Sequence, residues 1–145
     1  MQYNDQLTRS LTGDRLPLLV DRQALPLLRL KYVGDYTDDE LLKFLEQVNS
    51  ALALPGAKAG LIDLCEATAG SAGQRKLQAS WIRDHKQVLA RDFVATAIVT
   101  DSAVIRGTVT AIFWVQPLPM PTHVAATVDA AMAWLAPYLE RLRTR

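Results

Sequence analysis

Any chemistry in this sequence must come from few side chains. His85 and His123 are its only histidines and Cys65 its only cysteine. Two histidines rule out a histidine-rich metal site. One cysteine rules out an intrachain disulfide and argues against a cysteine-based zinc site. There is no P-loop, no G-x-G-x-x-G, no G-x-S-x-G and no histidine pair at metal spacing. No catalytic residue, metal or cofactor is assigned on this basis. The candidates that remain are ligand- or partner-binding residues: Asp63, Thr68, Ser71, Arg75, Trp81, His85, Asp101, Arg106 and Trp114.

Each has a functional and a bland reading. His85 shares an apolar helical face with Leu77 and Trp81, so it could act as a general base or touch a ligand at a pocket rim. A core-edge histidine bonded to a backbone carbonyl carries more weight. Asp63 follows an apolar run and would end a strand at the carboxyl edge of the sheet, where α/β proteins bind ligands. Otherwise it caps the next loop. Nothing in the spacing joins Asp63, Ser71 and His85 as a triad. Arg106 and Arg75 both lie near helix starts and could hold an anion at one sheet edge. The alternative for Arg106 is a surface ion pair with Asp101 or Asp63. Thr68 and Ser71 could accept phosphate beside a helix N-terminus, but a solvated loop residue and a helix cap are the favoured readings. Trp114 lies among Gly107, Thr110 and Ala111 and is either a partner-binding anchor or buried under Pro117-Leu118-Pro119. Trp81 reads as core rather than as a cofactor stack.

The elements that position these residues follow from periodicity. Leu16–Asp21 and Leu25–Val33 predict an antiparallel pair, with Leu28, Leu30 and Tyr32 alternating with Arg29 and Lys31. Thr37-Asp38-Asp39-Glu40 is a capping box. It opens a helix with Leu41, Leu42, Leu45, Val48 and Leu52 on one face, stopped by Pro55-Gly56. Ala59–Cys65 predicts a central strand, and Glu66–Gly73 a small polar loop. A helix follows over Ala72–Arg91. Val94–Thr100 is nearly all apolar or β-branched, as in a strand covered on both faces. Asp101 or Ser102 caps the next helix, with Ile105, Val109, Ile112 and Phe113 facing inward. Pro117, Pro119 and Pro121 impose an extended linker. His123–Val128 predicts an edge strand and Ala130–Leu142 a last helix. The order β-β-α-β-α-β-α-β-α predicts an α/β fold: a mixed, mostly parallel sheet with helices packed on it. Residues 1–14 read as a flexible arm and 15–145 as a single domain.

Composition bounds the partners. The chain has 145 residues, 50% hydrophobic and 21% charged, with 16 basic against 15 acidic side chains. Its net charge of +1 supplies no field to attract nucleic acid. No apolar run reaches the ~20 residues that span a bilayer, and the N-terminus lacks the apolar segment of a signal peptide. Neither a nucleic acid partner nor stable membrane insertion is expected, and the expected location is cytoplasmic.

Three segments, LIDLCEATAGSAGQR, FVATAIVTDSAVIRG and VDAAMAWL, together with the element order, resemble the SpoIIAA-like or STAS-like group, which also takes in Sec14-type domains. The nearest resemblance is to uncharacterised bacterial SpoIIAA-like proteins, and it covers about Leu16 to the end. It implies a SpoIIAA-like α/β fold. In anti-sigma-factor antagonists of this fold a strand ends in Asp followed directly by the phosphorylated Ser. Here Leu64 follows Asp63, so the usual phospho-serine switch is not implied. Three functions are weighed. The first is a non-enzymatic regulatory or protein-interaction module of the STAS-like type, forming a homodimer. The second is a carrier of a small apolar or anionic ligand or a lipid, of the Sec14-like type. The third is an enzyme using His85, Asp63 and Arg106.

Overall fold

Alternation decides which side of the sheet each strand residue serves, and it splits this protein into two unlike layers. The computed structural model describes residues 16–144; the arm expected over 1–14 lies outside them. Five strands, β1 (Leu18–Asp21), β2 (Leu27–Gly34), β3 (Lys58–Ala67), β4 (Phe93–Val99) and β5 (Thr122–Ala125), lie side by side in sequence order. β1 runs antiparallel to β2, with Leu18 opposite Tyr32. All other pairs are parallel. The helices are α1 (Asp38–Leu52), α2 (Ala72–Asp84), α3 (Lys86–Asp92), α4 (Ala103–Val115) and α5 (Val128–Arg143).

On one face Leu27, Ala59, Leu61, Ala95, Ala97 and Val99 meet Ala131, Leu135 and Leu139 of α5. Alanine on both sides lets this helix lie close against β3 and β4, and the layer is packed shut. The opposite face carries Leu28, Leu30, Tyr32, Gly60, Ile62, Thr96 and Ile98 beneath α1, α2 and α4. Here α4 makes its closest backbone approach to α2 rather than to the sheet.

The predicted architecture holds, with local corrections. In α1 the capping box forms: Glu40 N–H donates to Thr37 Oγ1 (3.1 Å) and Thr37 N–H to Glu40 Oε1 (2.9 Å). Its buried stripe is Leu41, Phe44, Leu45, Val48 and Leu52. Leu42, expected within it, points outward and is 49% exposed, because the i, i+3, i+4, i+7 spacing selects Phe44 instead. The helix expected over 72–91 breaks at His85, whose φ −107°, ψ 12° ends α2 and starts α3. β3 runs on to Ala67, because Glu66 and Ala67 pair with Val33 and Gly34 after a register shift in β2. The polar loop therefore starts at Thr68, and Asp63 lies inside a strand. β5 ends at Ala125, and α5 begins at Val128 with Thr127 as its cap.

Lys58 was missed as a structural residue. It is buried, and its ammonium donates to the carbonyls of Leu54 (2.6 Å) and Gly56 (2.8 Å), closing the C-terminal end of α1 with positive charge.

Candidate functional site

Gly60 and Thr96 stand opposite each other on adjacent strands, and both are small. Around them stand larger side chains: Ile62 on β3, Trp81 and Ile82 on α2, Ile112 and Phe113 on α4, Leu118 and Met120 on the proline-rich linker. With α4 held off the sheet, nothing fills the space above the small pair. The result is an apolar cavity of about 160 Å³ between the sheet and α1, α2 and α4. The cavity is partly open to solvent, and its volume is comparable to that of an apolar cavity that holds benzene in another protein.

A short polar chain runs along one side. Tyr32 Oη donates to Gln78 Oε1 (2.8 Å), and Gln78 Nε2 donates to Tyr36 Oη (3.3 Å). Gln74 Nε2 donates to the Tyr36 carbonyl (2.8 Å) and to Asp38 Oδ1 (3.0 Å), tying α2 to the start of α1. Burial, reinforced by Tyr36, pushes the Tyr32 phenol well above its ordinary range. Burial raises Tyr36 too, although its bond from Gln78 and the charge of Arg75 oppose this. Both phenols are therefore neutral hydroxyls at physiological pH. Gly70 adopts φ +70°, and a Cβ there would lie 3.1 Å from Tyr36 Oη. Glycine thus serves both the left-handed backbone and the close approach of this tyrosine.

A SpoIIAA-like family model matches residues 27–136, which carry four of the five strands and the whole cavity floor. The chain belongs to the SpoIIAA-like family. A solved structure of similar fold is an uncharacterised protein of the DUF3478 family from Shewanella loihica PV-4, with a SpoIIAA-like fold. It is 20% identical, with a TM-score of 0.61, and the match covers 81% of this chain and 91% of that one. No curated protein matches. The likeness establishes the fold and carries no activity.

Within this SpoIIAA-like domain the predicted site residues scatter. Ser71 caps α2: its hydroxyl accepts from Gln74 N–H (3.0 Å) and Gln74 Oε1 accepts from Ser71 N–H (3.0 Å). Thr68 donates to Asp35 Oδ1 (2.8 Å) and the Gly34 carbonyl (3.2 Å), and lies at the cavity. Arg75 Nη1 donates to the Gly70 (2.8 Å) and Ala69 (3.4 Å) carbonyls, so it braces the loop. Arg106 is exposed, and among the described residues no ion pair joins it to Asp101 or Asp63. Asp101 is exposed; Ser102 is the cap of α4, its hydroxyl accepting from Ile105 N–H (3.2 Å).

His85 Nδ1 lies 2.8 Å from the Trp81 carbonyl, and its ring stacks on Trp81 at 4.3 Å. This is the core-edge reading. Trp81 in turn donates Nε1–H to Asn49 Oδ1 (3.0 Å), bridging α2 to α1, and lines the cavity. Asp63 accepts from Cys65 N–H (3.0 Å) and, by alternation with Leu61, lies on the α5 side of the sheet. His85 and Arg106 belong to helices of the other side, and none of the three side chains lines the apolar cavity. Leu64, the residue that follows Asp63, is buried with Ile98, Ile105 and Val109. Trp114 is 85% exposed, which overturns the reading that the proline linker covers it. Among the described residues, no cluster of His, Cys, Asp and Glu could hold a metal, and no helix is long and apolar enough to cross a membrane.

The cavity was missed in the sequence. Its signal was available: on the cavity-facing side Gly60 precedes Ile62 and Thr96 precedes Ile98, and the register that aligns the two small residues does not follow from either strand alone.

Proposed function

We propose that this SpoIIAA-like domain binds a compact apolar molecule in the cavity between its sheet and α1, α2 and α4. The observation that carries this reading is the void itself. Interiors normally pack without gaps larger than water, and an unfilled void of about 160 Å³ costs stability in proportion to its volume. A ligand filling it restores the missing contacts. The polar chain Tyr32–Gln78–Tyr36 beside it is uncharged and bonded largely within itself, which suits an apolar rather than an anionic guest. This favours the carrier expectation, at a size below that of a lipid with long chains.

The test is titration of the purified protein with toluene, followed by amide chemical shifts, together with native mass spectrometry for a co-purified molecule. Saturable shifts around Ile62, Trp81 and Phe113 are expected. No shift up to the solubility limit of toluene, together with no co-purified mass, overturns the reading.

A second reading rests on α4. Its outer face shows Trp114 at 85%, Val115 at 78% and Val104 at 71% exposure, beside Gly107 and Ala111, and Arg106 is the only charge on the helix. Two copies of such a face can meet without charge repulsion around a tryptophan anchor. The occupant is therefore a second copy, as in the homodimeric interaction module. Light scattering during size exclusion should give a dimer mass for the wild type and a monomer mass for Trp114→Glu. A monomer for both sinks this second reading.

A further inference from the structure

Among the described residues, the Thr96 hydroxyl stands out in the cavity because it makes no hydrogen bond to another residue. Thr96 is only 4% exposed and lines the cavity floor. Every fully enclosed polar side-chain atom among the described residues has a hydrogen-bond partner. The Thr96 hydroxyl bonds to no described residue, so its oxygen faces open space, and the space it faces is the cavity. The other cavity-lining hydroxyls are already hydrogen-bonded. Tyr32 donates to Gln78, Thr108 to the Val104 carbonyl (3.1 Å) and Thr68 to Asp35, while Tyr36 accepts from Gln78 Nε2 (3.3 Å) and is partly buried beside the Gly70 loop.

Gly60 keeps the Thr96 oxygen accessible. A Cβ at position 60 would lie 3.0 Å from Thr96 Oγ1 and 3.5 Å from Phe93 Cε2. With glycine there, the hydroxyl looks out across an open patch of sheet between apolar walls. A guest that fills the cavity displaces the water that can reach this hydroxyl, and a guest polar group placed there replaces the lost hydrogen bond.

We propose that Thr96 anchors the guest: the ligand is a compact apolar molecule of about six to ten non-hydrogen atoms, bearing one carbonyl or hydroxyl that hydrogen-bonds Thr96 Oγ1. This rests on the apolar-cavity function proposed above and adds to it the polar group of the ligand and its position on the floor. A single hydrogen bond in an apolar pocket fixes orientation and discriminates against guests that lack it.

The experiment compares cyclohexanone with methylcyclohexane, probes of nearly equal size and shape, on the full-length protein by methyl and amide chemical-shift titration. Thr96→Val preserves shape and removes the hydroxyl. It should weaken cyclohexanone about fivefold to tenfold and leave methylcyclohexane within about twofold or tighter. Thr96→Ser should restore ketone affinity to near wild type, and Thr96→Ala gives the same readout if valine fails to fold. If both probes bind and Thr96→Val leaves their affinity ratio unchanged, the assignment of Thr96 is overturned while the cavity function stands. If neither probe binds the wild type, both are overturned.

Discussion

Leu61 and Ile62 are neighbours in β3 that face opposite layers, and enlarging each should have opposite consequences. Leu61 is buried against α5 in the closed alanine-rich layer. Phenylalanine there forces strain into a filled region, and overpacking of this kind costs about 1–3 kcal/mol. Ile62 borders the void of about 160 Å³. At about 24 cal/mol per Å³ the empty space represents up to about 4 kcal/mol of lost packing. The extra ring carbons of Ile62→Phe, at about 0.8 kcal/mol per buried methylene, can recover at most about 2 kcal/mol of it. The two variants should therefore differ by about 1–5 kcal/mol. With a urea m-value of about 2 kcal/mol/M, typical of this size, that separates their midpoints by about 0.5–2.5 M. Urea denaturation followed by tryptophan fluorescence measures it. Ile62→Phe should also abolish toluene binding. Equal losses at both positions, or a larger loss at Ile62, would refute the claim that the two layers are packed differently.

Two further outcomes follow from side chains around the sheet. Tyr32 has its phenol raised above the ordinary 10.0 by burial and by Tyr36. The unfolded chain therefore loses this proton first, so the stabilisation is fully present below pH 10 and is lost as pH rises from there toward the folded value. Each such group contributes a slope of about 1.4 kcal/mol per pH unit in that window. Tyr32→Phe should lose about 1 kcal/mol at neutral pH with the Gln78 hydrogen bond and show a shallower alkaline limb; coincident limbs would show that Tyr32 is not the titrating group. Cys65 is exposed, yet partial burial, its hydrogen bond to Asp63 and the charges of Asp63 and Asp101 push its thiol up to about 11 from 9.0. Its thiolate fraction near neutral pH is lowered roughly a hundredfold, so iodoacetamide should label it slowly despite its exposure. Asp63→Asn should speed labelling, and an unchanged rate would refute the role given to that carboxylate.

What could be read from the chain and what could not divide along a physical line. Capping boxes are local: Thr37–Glu40 forms as its spacing requires, and Ser71 caps α2. Apolar periodicity is nearly local, which is why the inward face of α4 was legible down to Ile105 and Val109, while α1 exchanged Leu42 for Phe44. Failures began where an outcome depended on register between distant strands. The extension of β3 to Ala67 rests on pairing with Val33 and Gly34, and it moved Asp63 from a strand end to a strand interior. The cavity depends on still more: Gly60 must align with Thr96, alanines must draw α5 onto one face, and α4 must seat on α2 rather than on the other face. No single segment encodes that gap. The titratable and charged residues that looked functional are mostly tied up in local scaffolding: Arg75 on loop carbonyls, His85 on its own helix, Thr68 on Asp35. The residue best placed to meet a ligand is a threonine inside a strand that read as pure core. A buried hydroxyl earns no notice from periodicity, because alternation assigns it to a face and says nothing about whether that face is filled.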